Sequence, residues 1–261
     1  MLWQKGWWET RRGFLLYLST AITFVTIILY TWGPVDLAKW TSSLQTRATG
    51  WSDNSRQLLP LLSSYHGYVW AHWFKLAMLG MWPIYAVTIG ATFGAGSCAW
   101  MGGGTGAAGI FTISLPVSRR RVLLTHAVLV AVEMALIAFA SSMMFPLISS
   151  MTGARFPFGS AIVHALLLSL GGMVFISLSF LLTVIFNNQG IVIAIGLVAV
   201  FALFFPAREI EEFPVWNVNH LMSGETYFRY GQIPWLELLA WIAIAAAILS
   251  LAVRIYERRD F

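Results

Sequence analysis

The sequence GGGTGAAGIFTISLPVSRRRVLLTH, residues 102–126, lies between two long apolar runs and contains the only three consecutive arginines of the chain. Its glycines allow a flexible backbone, and Pro116 ends the short apolar stretch that follows them. Ser118 is a residue type that favours the N-cap of a helix, and it directly precedes the arginines. We therefore predict a loop over residues 102–121 that connects two membrane helices.

The rest of the chain has the composition of a membrane protein. Of its 261 residues, 58% are hydrophobic and only 10% are charged, and the mean hydropathy is +0.73. A soluble domain carries about a quarter charged residues. The apolar residues fall in long blocks, which favours membrane spans over an oversized core. The single cysteine, Cys98, excludes a disulfide framework and a thiolate metal cluster.

The apolar blocks predict an all-α polytopic membrane protein with six transmembrane helices in one domain, residues 1–261. Three tryptophans and three basic residues near the start predict a short N-terminal interfacial helix over residues 2–12. The segment 34–72 is too polar for a span, and we expect one or two short helices in it. The predicted spans are residues 13–31, 73–100, 122–149, 160–186, 191–205 and 235–256.

The basic residues predict the orientation of these spans. With a cytoplasmic N-terminus, the inner segments hold nine cations and three acids, whereas the outer segments hold seven of each. Short basic segments favour the cytoplasm, so we predict cytoplasmic N- and C-termini and a cytoplasmic loop 102–121. The inner cations are Lys5, Arg11, Arg12, Arg119, Arg120, Arg121, Arg254, Arg258 and Arg259.

The charge pattern also bears on partners and location. The formal charge of +5 is modest, and no soluble basic face is visible. We therefore expect the anionic headgroups of the lipid bilayer to balance the positive charge, and we expect no nucleic acid as a partner. A multi-pass protein of this kind belongs in the cell (plasma) membrane, here of the bacterial inner-membrane type.

Two nucleotide-binding patterns can be excluded. Residues 104–109 match GxGxxG, but a membrane helix precedes them and the acid expected about twenty residues later is missing. A glycine hinge is the better interpretation. The sequence contains no GxxxxGK[ST], so this chain does not bind ATP through a P-loop. Any ATPase that drives it is another polypeptide.

The loop carries apolar and basic residues that need partners. Residues 106–115 can form a short helix whose apolar side chains face water, and such a surface is normally covered by another protein. Arginines in the first turn of the next span oppose the helix macrodipole, so lipid phosphates or acids of a partner would stabilise them. The alternative is that the arginines only anchor the topology.

Residues 111–121, FTISLPVSRRR, resemble the cytoplasmic signature of ABC-2 type permeases, the membrane subunits of ATP-binding-cassette exporters. The Trp/Arg-rich start, the six spans and the basic ending YERRDF resemble that family in layout. The resemblance implies a helix over about residues 104–115 that couples the permease to its ATPase. The ATPase-coupling residues it implies are Gly106, Ile110, Phe111, Ile113, Leu115, Pro116, Ser118, Arg119, Arg120 and Arg121.

The resemblance further implies a transport subunit that is not an enzyme and holds no cofactor. Two permease subunits, identical or homologous, would pair and recruit two ABC ATPase subunits, which bind ATP and magnesium. The alternative is an autonomous proton-coupled secondary transporter that uses Glu133. A membrane enzyme is disfavoured because no nucleophile, base and metal ligands cluster near one interface.

Glu133 is the one clear acid within a predicted span, and His126 precedes it on roughly the same helical face. One interpretation is a translocation-path or proton-sensitive site. The other is a neutral glutamic acid that is hydrogen-bonded to another helix, with His164 or Thr183 as candidates. None of the five histidines lies in an HExxH pattern, and we predict no metal site.

Overall fold

The computed structural model describes the chain except for residues 1, 33–36, 50–55, 57, 92–117, 153–155, 187, 205–215 and 259–261. Within the described residues, 92% are helical and no strand occurs, which confirms the all-α class. The elements are α1 (Leu2–Trp32), α2 (Leu37–Ala48), α3 (Leu59–Leu62), α4 (Tyr65–Val69), a π-helical segment (Trp70–Met78), α5 (Leu79–Ala91), α6 (Arg119–Thr152), α7 (Phe158–Phe186), α8 (Gln189–Phe204), α9 (Val218–Met222), α10 (Glu225–Tyr230) and α11 (Trp235–Arg258).

Five helical stretches are long and apolar enough to cross a membrane, which is compatible with a multi-pass membrane protein. By contrast, α8 has 16 residues. Its length of about 24 Å falls short of a hydrocarbon core of about 30 Å. The five stretches are Thr10–Tyr30, Tyr65–Ala91, Arg119–Ser149, Phe158–Phe186 and Trp235–Arg258.

The first helix corrects the prediction of a separate interfacial helix over residues 2–12, because α1 is continuous over 31 residues. Tertiary contact explains the continuity. A Cβ atom at Gly6 would lie 2.8 Å from Leu129 Cδ2 of α6, so the two helices touch there. One turn later the Thr10 hydroxyl donates a hydrogen bond to the Glu133 carboxylate of α6. The two contacts follow the same order along both helices, so α1 and α6 run parallel.

The helix of the second predicted span begins at Tyr65 instead of residue 73. Ser64 caps it, since its hydroxyl accepts a hydrogen bond from the backbone N–H of Gly67 at 3.0 Å. The chain then continues without a break through the π-helical segment and through Pro83 to Ala91. Residues 92–100 of the predicted span lie outside the described residues. The expected short helices in the segment 34–72 are confirmed as α2 and α3.

The α5 and α7 helices also run parallel to each other. Gly172 packs directly against Trp82 Nε1, where a Cβ atom would collide, and farther along both helices the Ser179 hydroxyl donates to the Val87 carbonyl at 2.9 Å. The short connection from Thr152 to α7 makes α6 and α7 antiparallel. The ends of α5 and α7 therefore lie at the same end of the bundle as the starts of α1 and α6. We call this the arginine end.

The opposite end of the bundle carries α9 and α10, and we call it the short-helix end. The Trp70 indole N–H donates to the Ser223 carbonyl at 2.9 Å, and Gly224 packs directly against His164 Nδ1, where a Cβ atom would collide. Both Trp70 and His164 lie within the first two turns of the helices that begin at this end. The largest fully buried side chains are mainly aromatic and include Trp70, Trp73, Trp82, Phe74, Phe145 and Phe175.

Candidate functional site

Six of the predicted coupling residues lie outside the described residues, and so does the predicted coupling helix over residues 104–115. They are Gly106, Ile110, Phe111, Ile113, Leu115 and Pro116. The chain is described again from Ser118, one residue before α6 begins. The coupling role of these residues therefore stays a prediction.

Ser118 caps α6 as the sequence predicts. Its hydroxyl accepts a hydrogen bond from the backbone N–H of Arg121 at 3.4 Å, and its carbonyl accepts from the N–H of Val122 at 3.2 Å. The side chains of Arg120 and Arg121 are exposed in the first turn of the helix. The cap fixes the residue at which the chain enters the helix, so the arginines sit at the very start of a 34-residue helix.

The arginine end also presents the start of α1. The Arg11 guanidinium lies 3.5 Å from the centroid of the Trp8 ring, in a cation–π contact, and Arg12 is exposed. Trp3 and Trp8 expose about half or more of their surface. Aromatic rings of this kind favour the headgroup region of a membrane. An exposed basic and aromatic surface thus flanks the start of α6.

Glu133 is buried in the contact between α1 and α6, with 1% of its surface exposed. One carboxylate oxygen, Oε1, accepts the hydrogen bond of Thr10, whose hydroxyl also lies 3.1 Å from the Gly6 carbonyl. The other oxygen, Oε2, has no hydrogen-bond partner among the described residues. The partner from another helix is thus Thr10, and not His164 or Thr183. The Thr183 hydroxyl donates instead to the Ser179 carbonyl of its own helix, at 2.8 Å.

His126 shares the face of α6 that carries Glu133, as the spacing predicts. The ring is buried, and Nδ1 lies 3.1 Å from the Val122 carbonyl one turn earlier. A Cβ atom at Gly6 would lie 3.6 Å from its Nε2, so the imidazole packs against α1. Glu133 and His126 therefore belong to one buried seam between α1 and α6.

A buried ionic cluster lies at the short-helix end, and sequence patterns did not predict it. Arg229 donates two hydrogen bonds to Glu225 Oε1, at 3.0 Å from Nε and 2.6 Å from Nη2. The Lys75 ammonium lies 3.5 Å from Glu225 Oε2. The three side chains are 1–7% exposed. The i,i+4 spacing of Glu225 and Arg229 is visible in the sequence, but Lys75 joins them from a segment 150 residues away.

The ionic cluster and neighbouring aromatic contacts hold the two short helices, α9 and α10, against the π-helical segment. The Trp70 ring stacks on Phe228 with centroids 4.2 Å apart and planes at 2°, and the Lys75 ammonium lies 5.2 Å from the Trp70 centroid. Gly224 joins α9 to α10 with φ of +64°, a left-handed conformation that glycine adopts without strain. A π-helical segment often marks a functional region, which makes this end a second candidate site.

Comparison with known families gives one match, and it covers most of the residues described above. A family model described as a protein of unknown function (DUF2705) matches residues 59–261. The chain belongs to the DUF2705 family. No curated protein and no solved structure matches it. The DUF2705 match begins at α3, so it contains Glu133, the ionic cluster and the loop 102–121, whereas Thr10 and the rest of α1 precede it.

The described part of this DUF2705 protein has no cluster of three or more His, Cys, Asp or Glu side chains that could hold a metal ion. The short helix α9 is instead tied to α11 by His220 and Glu237, whose Nδ1 and Oε2 atoms are 3.0 Å apart. The candidate residues therefore form two separate sites: the seam around Glu133, and the ionic cluster at the short-helix end.

Proposed function

We propose that this DUF2705 protein is the membrane-spanning permease subunit of an ABC exporter, with ATP hydrolysed on a separate ATPase. In this proposal α8 makes the sixth crossing, and both termini face the cytoplasm of a bacterial cell whose plasma membrane holds the protein. The observation that carries the proposal is the apolar loop motif followed at once by a capped, arginine-bearing helix start. The absence of a P-loop from the sequence is consistent with a separate ATPase.

The position of the loop supports this role. Residues 92–118 connect α5 to α6 at the arginine end, beside the exposed start of α1. That end is the one that the positive-inside rule assigns to the cytoplasm, where an ATPase would be available. Ile110, Phe111 and Ile113 would supply an apolar docking surface, and Arg119, Arg120 and Arg121 would supply charges for acids of the ATPase or for lipid phosphates.

The mechanism follows from how α6 is held. When two ATPase subunits bind ATP and magnesium and close, the coupling helix moves, and the capped first turn passes this motion to α6. This helix contacts α1 through Glu133 and continues as one helix to the other end of the bundle. Two permease subunits, identical or homologous, would form the path for a cargo that moves outward or laterally. The ATPase must favour one of two membrane states energetically for this coupling to work.

The proposal is tested by removing the docking surface. The triple change Ile110→Ser, Phe111→Ser and Ile113→Ser should abolish co-purification with a P-loop ATPase, because the apolar contact is lost, while membrane insertion is retained. Trp216→Ser is the matched control, since Trp216 is 67% exposed next to α9 at the short-helix end. Wild-type protein that captures no P-loop ATPase, or a triple variant that retains the ATPase and full transport, would contradict the proposal.

A second candidate function is proton-coupled transport through Glu133. It is favoured by the second carboxylate oxygen, which is buried and has no hydrogen-bond partner among the described residues. Transport by the reconstituted chain alone, driven by a pH gradient and abolished by Glu133→Gln, would establish it. An exporter subunit should instead need ATP and its ATPase, and it should tolerate Glu133→Gln because the amide oxygen still accepts from Thr10.

A further inference from the structure

Two histidines from separate helices meet at the short-helix end inside a cage of aromatic side chains. The ring centroids of His66 in α4 and His164 in α7 are 6.3 Å apart. The Phe74 ring stacks on His164 with centroids 4.2 Å apart. The rings of Phe156 and Phe228 meet the His66 ring edge to face, with centroid distances of 4.9 Å and 5.3 Å. The His164 ring is fully buried in this cage, and the His66 ring is partly buried with its Nε2 atom inside.

The polar atoms of these two rings are not satisfied within the described residues. His164 is fully buried, and neither of its ring nitrogens has a hydrogen-bond partner there; the same holds for His66 Nε2. Buried polar atoms are nearly always paired in folded proteins. Other buried histidines follow that rule: His126 pairs with a carbonyl and His220 with Glu237. A neutral imidazole has one N–H and one nitrogen with a free lone pair. Each ring can therefore offer one lone pair to a ligand that binds between them, and the second nitrogen of His164 carries the proton.

The geometry shows which nitrogens are available. Gly224, in its left-handed conformation, lies so close to His164 Nδ1 that a Cβ atom there would collide with the ring. This contact leaves Nε2 as the ligating atom of His164, and Nε2 is also the unpaired nitrogen of His66. We propose that His66 and His164 bind one monovalent copper ion through their Nε2 atoms.

The separation of the rings fits a metal ion between them. Two metal–nitrogen bonds of about 2 Å, together with the distance from each nitrogen to its ring centre, give about 6 Å for a nearly straight arrangement. The observed distance of 6.3 Å between the ring centroids is close to this value. Among the metals that imidazole binds are copper, zinc and nickel.

The number and charge of the ligands select monovalent copper. The described residues supply two imidazoles here and no group of three ligands, whereas zinc sites normally have at least three protein ligands. A doubly charged ion in an apolar cage would also need a carboxylate beside it. Glu225, the neighbour of Gly224, is already bonded to Arg229 and Lys75. A monovalent ion with a filled d shell accepts two neutral donors at lower desolvation cost.

The test is a copper titration of the full-length protein in lipid nanodiscs, anaerobically and with a reductant, against a chromophoric copper(I) chelator. We expect one copper per chain. His66→Gln and His164→Gln should each weaken binding by about 100-fold or more, since loss of a ligand exceeds loss of an outer-shell partner. Gly224→Ala should also weaken it, because the new methyl group displaces the His164 ring. His72→Gln is the matched control and should bind as wild type; its Nδ1 lies 3.0 Å from the Tyr68 carbonyl.

Several outcomes would overturn the copper site. They are no stoichiometric copper in the wild type, wild-type affinity in both histidine variants, or zinc bound as tightly as copper. If a variant does not fold, X-ray absorption of the copper-loaded wild type decides the matter. Two nitrogen neighbours at about 2 Å support the site, and a sulfur neighbour or a higher coordination number overturns it. The site does not depend on the exporter proposal, since binding is measured without an ATPase.

Discussion

The two ends of this helix bundle treat their charges in opposite ways. At the arginine end, Arg120 and Arg121 are exposed at the start of α6. At the short-helix end, Glu225 and Arg229 are buried and bonded to each other. An exposed charge finds its counter-charge outside the molecule, whereas a buried one must find it within. In the exporter proposal, the first end meets the ATPase, whereas the charges of the second end are paired within the chain.

The largest effect is expected from breaking the ionic cluster. Glu225→Gln should lower the free energy of unfolding by about 3–5 kcal/mol, because it removes the carboxylate between two buried cations. Denaturant titration in mixed detergent micelles measures this. Glu257→Gln, at an exposed position of α11, is the control and should change stability by less than about 0.5 kcal/mol. A Glu225 variant as stable as that control would show that the short-helix end is not held by its charges.

A smaller loss is expected at the seam between α1 and α6. Thr10→Val keeps the shape of the side chain but removes the hydrogen bond to Glu133, which should cost about 1–3 kcal/mol because the carboxylate stays buried. Thr23→Val is the control, since Thr23 is exposed and its hydroxyl donates to the Ser19 carbonyl of its own helix. Equal stability of the two variants would mean that Thr10 does not attach α1 to α6.

The smallest effect on stability is expected at the arginine end. The double change Arg120→Gln and Arg121→Gln should leave the free energy of unfolding within about 0.5 kcal/mol of wild type, because both side chains are exposed. Association with the ATPase should nevertheless fall. Arg229→Gln, at the short-helix end, should lower the free energy of unfolding and leave association with the ATPase unchanged. If the double variant and Arg229→Gln lowered the free energy of unfolding equally, the two ends would not differ as described.

Features that depend on local sequence could be predicted. The all-α class, the Ser118 cap and the shared face of His126 and Glu133 follow from composition, residue type and helical spacing. The continuity of α1 could not be predicted, because it depends on contacts of Gly6 and Thr10 with a helix more than a hundred residues later.

The ionic cluster and the histidine pair were missed for a related reason. Lys75 looked like a residue of a membrane span and Glu225 like a residue of a polar loop, and only packing brings them together. His66 and His164 are also far apart in the chain, so no spacing rule connects them. The π-helical segment likewise has no proline or glycine signal in its sequence.

The central claim is that the loop 102–121 faces the compartment that holds the ATPase. We would introduce Ala108→Cys and, separately, Trp216→Cys in a Cys98→Ser background and label intact cells with a membrane-impermeant thiol reagent. The account predicts that residue 216 is labelled in intact cells and that residue 108 is labelled only in inverted membrane vesicles. Labelling of residue 108 in intact cells would contradict it.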